Sequence, residues 1–410
     1  MELKIPINKI SINNLIPKQL LLGEMLVFFF AVVSFLPYIK SSPFGSDVQP
    51  HFLLASPVML IFLKRLVEPI LLYGLTMICA GMIFLDLGTV ELVGLAYLFV
   101  TVVMVSKFTD EEKLVLRVGI RCAILVCALG VFSDFVIGNH LLDRLIANRR
   151  ASELGFRGAC SFASEPSFLG FTGLAAFVTL SRMPGKKNLL FDVVCPAFVL
   201  LSSGSLAAIG PAMVLVLVTN LKSATKLLVA LGIVAVASLI AIFCFPESRL
   251  VQAALQLIES PAFLVENSSG ADRVFRGVGP TYFSFVDGLV PHPVSELDRI
   301  YEKMRFLDKQ VEVKRVSNLS GYLFFIFGFF SIPVVFAYFY KIRHFNYRNK
   351  LGVIVTIMIF SFSLLTISTP YLHIMLGALL WDIKEEETIS ASRRAGALKG
   401  RMGQAKASFE

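Results

Sequence analysis

Charged residues are scarce in this 410-residue chain: Asp, Glu, Lys and Arg make up 16% of it, against about 25% in an ordinary soluble domain. With 56% apolar residues and 37 phenylalanines, that scarcity excludes a disordered tail. It also excludes a cytosolic enzyme, whose two or so domains would have to bury all of that Phe, Leu and Val. Six cysteines (79, 122, 127, 160, 195 and 244) fall within or at the ends of apolar runs. That rules out a disulfide scaffold and reads as buried thiols, a Cys160–Cys244 bridge being the alternative. Several motifs are missing: a Walker loop, a Gly-x-Ser-x-Gly elbow, a His-Glu-x-x-His pair and zinc-spaced Cys/His sets. No Asp-x-Asp pair is present to hold a metal-bound nucleotide sugar. A cleavable signal peptide is absent too: the first 19 residues are polar and lack a small-residue cleavage site.

What is there is a series of long apolar runs, over 20–39, 51–63, 69–86, 88–106, 115–138, 159–181, 189–203, 206–221, 226–245, 319–340, 351–369 and 371–383. A helical span needs about 20 mostly apolar residues. These runs are continuous, unlike the alternating segments of a barrel. They predict an all-α polytopic membrane protein of about twelve spans. Spans 1–9 fall within 1–245, spans 10–12 within 319–383, and a polar cytoplasmic tail follows over 384–410. With both termini cytoplasmic, the inner connections and the tail hold 24 of the 38 basic residues, while the short outer turns hold only Lys40. This is the positive-inside bias. It makes the +9 net charge a topology signal and leaves no reason to expect a nucleic-acid partner.

Two outer loops break the lipid pattern, 139–158 and 246–318. The first carries Arg144, Arg149, Arg150 and Arg157. It reads either as an interfacial helix built on Leu141, Leu142, Leu145 and Ile146 or as a receptor for phosphate, which guanidinium forks bind bidentately. The next span opens with Ser164-Glu165-Pro166-Ser167. Here Glu165 is either a helix cap or a functional carboxylate at the membrane lip. The Ser202-Ser203-Gly204-Ser205 break is a tight turn or a polar site. In the large loop, Ser269 to Asp272 resembles a capping box that places Arg273 and Arg276 on one helix face. Tyr282 follows, and a rigid Gly288–Pro293 turn carries His292. Residues 295–313 have the period of a lid helix. Since the polar residues face outward, where nucleotides are absent, any glycosyl donor must arrive preactivated on a lipid.

The run Arg157-Gly-Ala-Cys-Ser-Phe-Ala-Ser-Glu165-Pro-Ser-Phe-Leu-Gly170 resembles a segment of bacterial O-antigen polymerases (Wzy). They carry it after an arginine-bearing periplasmic loop. The Ser202–Ser205 break and the re-entry Asn318-Leu-Ser320-Gly321-Tyr322 are similar to later parts of that family, and the layout of spans and loops agrees along nearly the whole chain. The resemblance implies a GT-C-like membrane glycosyltransferase of the inner membrane, related in fold to O-antigen ligases. It implies transfer of a growing glycan from undecaprenyl pyrophosphate to another lipid-linked repeat unit, without metal or cofactor and alongside a chain-length regulator.

Arg157 and Arg276 are then expected to hold the pyrophosphate, with Glu165 or His292 as base, or with Glu165 orienting an arginine. Arg149, Arg150, Arg273, Ser203, Ser205 and Tyr282 are expected to bind substrate. Three rival readings stay open: a ligase with a lipid A–core acceptor, a flippase or other transporter, which would pair charges near the bilayer midplane, and a membrane acyltransferase using His344 or His373.

Overall fold

The computed structural model describes residues 22–40, 68–85, 89–137, 142, 144–146, 158–185, 187–220, 252, 255–256, 278–297, 316, 318–345, 347–363 and 369–381. Among these the architecture is helical: α1 (Leu22–Phe35), α2 (Pro69–Phe84), α3 (Thr89–Ser106), α4 (Asp110–Val136), α5 (Pro166–Arg182), α6 (Cys195–Ser202), α7 (Leu206–Asn220), α8 (Gly279–Val286), α9 (Ile332–Lys341), α10 (Tyr347–Phe362) and α11 (Pro370–Ala378). The all-α expectation holds for the described residues, where the one β contact is an isolated bridge between Ile39 and Ile146. The expected spans 51–63 and 226–245, the lid helix 295–313 beyond Leu297, Cys244 and the tail 384–410 lie outside the described residues.

Local chemistry sets the helix boundaries. Thr109 and Glu112 close a complete capping box at the start of α4: Thr109 Oγ1 accepts from the Glu112 amide, and Glu112 Oε2 accepts from the Thr109 amide (2.8 Å). Proline stands in the first turn of α2, α5, α6, α8, α9 and α11, where its missing N–H costs nothing. Helix α4 is long and apolar enough to cross a membrane. Shorter apolar helices run over Gly23–Phe35, Leu71–Phe84, Glu91–Ser106, Leu190–Ser202, Ala207–Val216 and Asn349–Phe362. Helix α11 is buried along its whole length, while outward faces stay apolar: Ile83 is 74% exposed, Phe132 61% and Phe336 68%. Helices apolar on both faces belong to a large core or to lipid.

Contacts sort the helix ends into two groups. At one end Glu68, just before α2, pairs with Lys341 at the end of α9 (2.9 Å) and with Lys107 just past α3 (3.1 Å). Early in α4, Arg117 donates to the Met183 carbonyl beyond α5 (2.9 Å), and Arg121 makes a two-pronged pair with Asp192 (2.7 and 2.8 Å). Lys113 stands over the ring of Trp381, whose indole N–H donates to the Val105 carbonyl (2.8 Å). At the opposite end the Lys40 amide donates to the Leu145 carbonyl (2.7 Å), Ala159 to Ser202 (2.9 Å) and Val294 to Leu85 (3.4 Å). Helices α2 to α6 therefore alternate in direction.

The Glu68 knot is sensitive to acid. Burial alone would raise its carboxyl, but the ammonium groups of Lys341 and Lys107 outweigh this and hold it below the usual 4.5. A carboxyl lowered in the folded state stabilises the fold above its unfolded pKa, and that support is lost as pH falls through the folded value. Melting temperature is expected to fall as pH drops below 4.5, and to fall less in Glu68→Gln. Equal losses in both proteins would remove Glu68 as the cause.

The run 319–340 is not one helix. It forms a π-helix over Gly321–Ile326, a 3₁₀ turn over Gly328–Ser331 and then α9. The break falls at Gly328 (φ +52°), where a Cβ would lie 2.2 Å from the Leu289 carbonyl oxygen of a crossing strap. Nor is the first outer loop an interfacial helix where it is described. Residues 144–146 form a turn in which Ile146 bridges to Ile39, just past α1, and Leu142 and Ile146 are buried.

Candidate functional site

At the end opposite Glu68, the chain reaching α5 is held by a residue that the sequence reading passed over. Asp134 Oδ2, near the end of α4, accepts the backbone amides of Cys160 (3.1 Å) and Ser161 (2.7 Å). Ser161 takes a left-handed φ of +48°, and its hydroxyl donates to the Cys127 carbonyl (2.6 Å). Its one sequence signal was an acid inside an apolar run. Asp134→Ala leaves two buried amides without that acceptor. The expected cost is about 2 kcal/mol, read as a lower melting temperature and faster proteolysis before α5.

Four residues on, Glu165 occupies the N-cap of α5, yet its side chain caps no backbone amide. Its carboxylate lies 3.4 Å from the Ser167 hydroxyl, which donates to it. Of the two readings open for Glu165, the cap is the one this geometry removes. Beside it Phe168 stacks on Tyr38 (ring centroids 5.4 Å apart), and the Tyr38 and Tyr371 hydroxyls meet at 3.2 Å. The aromatic wall draws on α1, α5 and α11, a convergence that no local sequence pattern shows.

Ser203 is fully buried. Its hydroxyl donates to the Leu200 carbonyl (2.6 Å) and accepts the Ser205 amide (3.3 Å). The Ser205 carbonyl in turn accepts the first amides of α7. Both serines build the turn, and the Ser203 hydroxyl, expected to bind substrate, is engaged within it. Gly158 packs so closely here that a Cβ would lie 2.1 Å from the Ser203 carbonyl oxygen. Arg149, Arg150, Arg157, Arg273 and Arg276 lie outside the described residues.

His292 belongs to a second group at this end. Its Nδ1 is hydrogen-bonded to Glu296 Oε2 (2.9 Å), and its Nε2 lies 2.9 Å from Asp287 Oδ2, at ion-pair distance but out of line for a hydrogen bond. The ring stacks on Phe325 (5.0 Å) and meets the edge of Phe283 (5.4 Å). Held this way, His292 braces the turn that runs over 287–296; its partners are Asp287 and Glu296, not Glu165. The strap docks through carbonyls of the π-helix: Phe324 accepts from the Ser284 hydroxyl, and Phe325 accepts from the His292 amide (3.0 Å). Tyr282 points away from this joint and is 60% exposed. Among the described residues no three His, Cys, Asp or Glu side chains are grouped to hold a metal.

A groove of about 420 Å³ runs between these helices. Leu98 and Val102 of α3 form one wall, Val334 and Tyr338 of α9 and Met358 of α10 the other. At one lip lie Thr281 and Ser320, whose hydroxyls are hydrogen-bonded to each other (3.0 Å). Lys341 stands at the other lip. No protein-family model, curated protein or solved structure matches the chain.

Proposed function

We propose that the chain is a polytopic inner-membrane glycosyltransferase of about twelve spans. It polymerises undecaprenyl-pyrophosphate-linked oligosaccharide repeats on the periplasmic face, the activity implied by its resemblance to O-antigen polymerases. The observation that carries the reading is Glu165, an acid directly before the proline that opens α5, on a segment that Asp134 pins. The two groups of helix ends support the orientation, because the end with Glu68, Lys107, Arg117, Arg121 and Lys341 is the one that the basic residues assign to the cytoplasm.

In this mechanism the bond between the donor sugar C1 and the pyrophosphate oxygen breaks, and C1 bonds to the acceptor hydroxyl oxygen. The hydroxyl proton passes to Glu165, and undecaprenyl pyrophosphate leaves with its charge balanced by Arg157 and Arg276. Arg149, Arg150 and Arg273 draw in the anionic donor, Tyr282 offers a ring to the glycan, and a separate membrane protein regulates chain length. Purified protein incubated with its lipid-pyrophosphate repeat unit is expected to give a ladder on a gel. No ladder without added lipid A–core would point to a ligase instead, and no new glycosidic bond at all would overturn the enzyme reading.

A further inference from the structure

We infer that the outward face of α9, with the turn that follows it, binds an anionic glycerophospholipid of the inner leaflet, an acyl chain lying against Phe336 and the phosphate held at Arg343 and Lys350. The inference rests on the membrane and orientation readings of the proposed function but not on the polymerase chemistry. Ile332, Phe336 and Tyr340 recur at four-residue spacing and are all exposed, so they form one stripe along the helix. The Phe336 and Tyr340 rings stack with centroids 6.1 Å apart, and the Arg343 guanidinium lies over the Tyr340 ring, its Cζ 3.2 Å from the centroid. Lys350, in the first turn of α10, donates from Nζ to the Arg343 carbonyl (3.0 Å). Neither cation is paired with a carboxylate among the described residues. Lys341, by contrast, turns toward Glu68.

Stacking occupies the flat face of the guanidinium and leaves its N–H edge, which makes only a long contact (3.5 Å) with the Tyr340 carbonyl. That edge is the fork that binds phosphate oxygens bidentately, and Lys350 adds a second positive charge at the same turn. The stripe from Ile332 to Tyr340 spans about 12 Å at 1.5 Å per residue, close to the roughly 15 Å of hydrocarbon in one leaflet. Aliphatic chain, ring, ring with hydroxyl and guanidinium follow one another in the order of a lipid from its acyl chain to its headgroup. A soluble acidic partner could reach Arg343 and Lys350 but not Ile332 and Phe336 at membrane depth. A polyprenyl pyrophosphate donor would present its head at the other face, and a zwitterionic lipid would bring its own ammonium against two cations. An anionic phospholipid satisfies both ends of the stripe.

The full-length protein in uncharged detergent would be titrated with phosphatidylglycerol and with phosphatidylcholine of the same acyl chains, and bound lipid counted by native mass spectrometry. Half-saturation is expected at about a fivefold lower concentration for phosphatidylglycerol, the effect of one basic residue near an anionic surface, and salt should narrow the gap. Arg343→Gln should close most of it. Lys187→Gln, which removes an exposed charge on the connection after α5, should leave it open. Should Arg343→Gln not fold, Tyr340→Leu decides: it keeps the apolar contact but removes the ring under the guanidinium, and an unchanged gap would count against the site. Equal affinity for the two lipids, equal losses in Arg343→Gln and Lys187→Gln, or displacement of phosphatidylglycerol by equimolar inorganic phosphate would each overturn the assignment. A polymer ladder that survives such a failure leaves the polymerase reading standing; absence of the chain from the membrane fraction would end both.

Discussion

Glu165→Gln is expected to leave the protein folded and to lower polymer formation by about 10²–10⁴-fold, the range for losing a positioned acid or base. The start of α5 should be kept, because the carboxylate caps no amide of that helix and glutamine can still accept from the Ser167 hydroxyl. Single lipid-linked repeats should accumulate as the ladder disappears. The dependence of rate on pH separates the two roles open to Glu165. If it accepts the proton, Glu165→Asp keeps a pH-dependent residual rate and Glu165→Gln does not. If it orients an arginine, both variants keep the original profile at lower amplitude. A folded Glu165→Gln protein with a normal ladder would remove Glu165 from the chemistry.

Gly328→Ala is expected to cost about 3 kcal/mol, the sum of placing alanine in the left-handed region and of overpacking against backbone. The added Cβ would meet the Leu289 carbonyl oxygen at 2.2 Å and the Pro291 nitrogen at 2.7 Å. Neither atom is the far end of a flexible side chain, so the strap itself must move. Gly288→Ala provides the control. It has φ +70° with open space around the missing Cβ, so it carries only the backbone strain of about 1 kcal/mol. Melting temperatures should fall in that proportion, and proteolysis within 287–297 should rise only for Gly328→Ala. Equal losses in the two variants would mean that the strap does not bear on Gly328.

Some of this was legible in the sequence and some was not, for physical reasons. Glu165-Pro166 marked the start of α5 because proline at the first helical position is a local signal, and Ser202–Ser205 marked a turn for the same kind of reason. The π-helix over Gly321–Ile326 had no such signal, since a run apolar on every face carries no period from which to tell one helical pitch from another. The bracing of His292 was hidden as well. Asp287 and Glu296 stand five residues before and four after it, and they reach its two nitrogens only because Gly288 and Leu289 both turn through positive φ. Asp134 was visible as an acid among apolar residues, yet its task is set by amides 26 and 27 positions away. Charge bias along the chain indicated which helix ends belong together; it could not indicate that Glu68 would serve two lysines at once.

The π-helix has a mechanical consequence. Its wider winding absorbs one extra residue, and the carbonyls of Phe324 and Phe325 are bonded sideways to Ser284 and His292. A pull on the Gly288–Pro293 turn therefore acts directly on the backbone of the π-helix, through the His292 amide and the short Ser284 side chain. Either these two bonds part, or the winding tightens by one residue and the slack travels toward α9. The segment behaves as a backlash-free gear between the Gly288–Pro293 turn and the far lip of the groove, 15 residues further along the chain at Lys341.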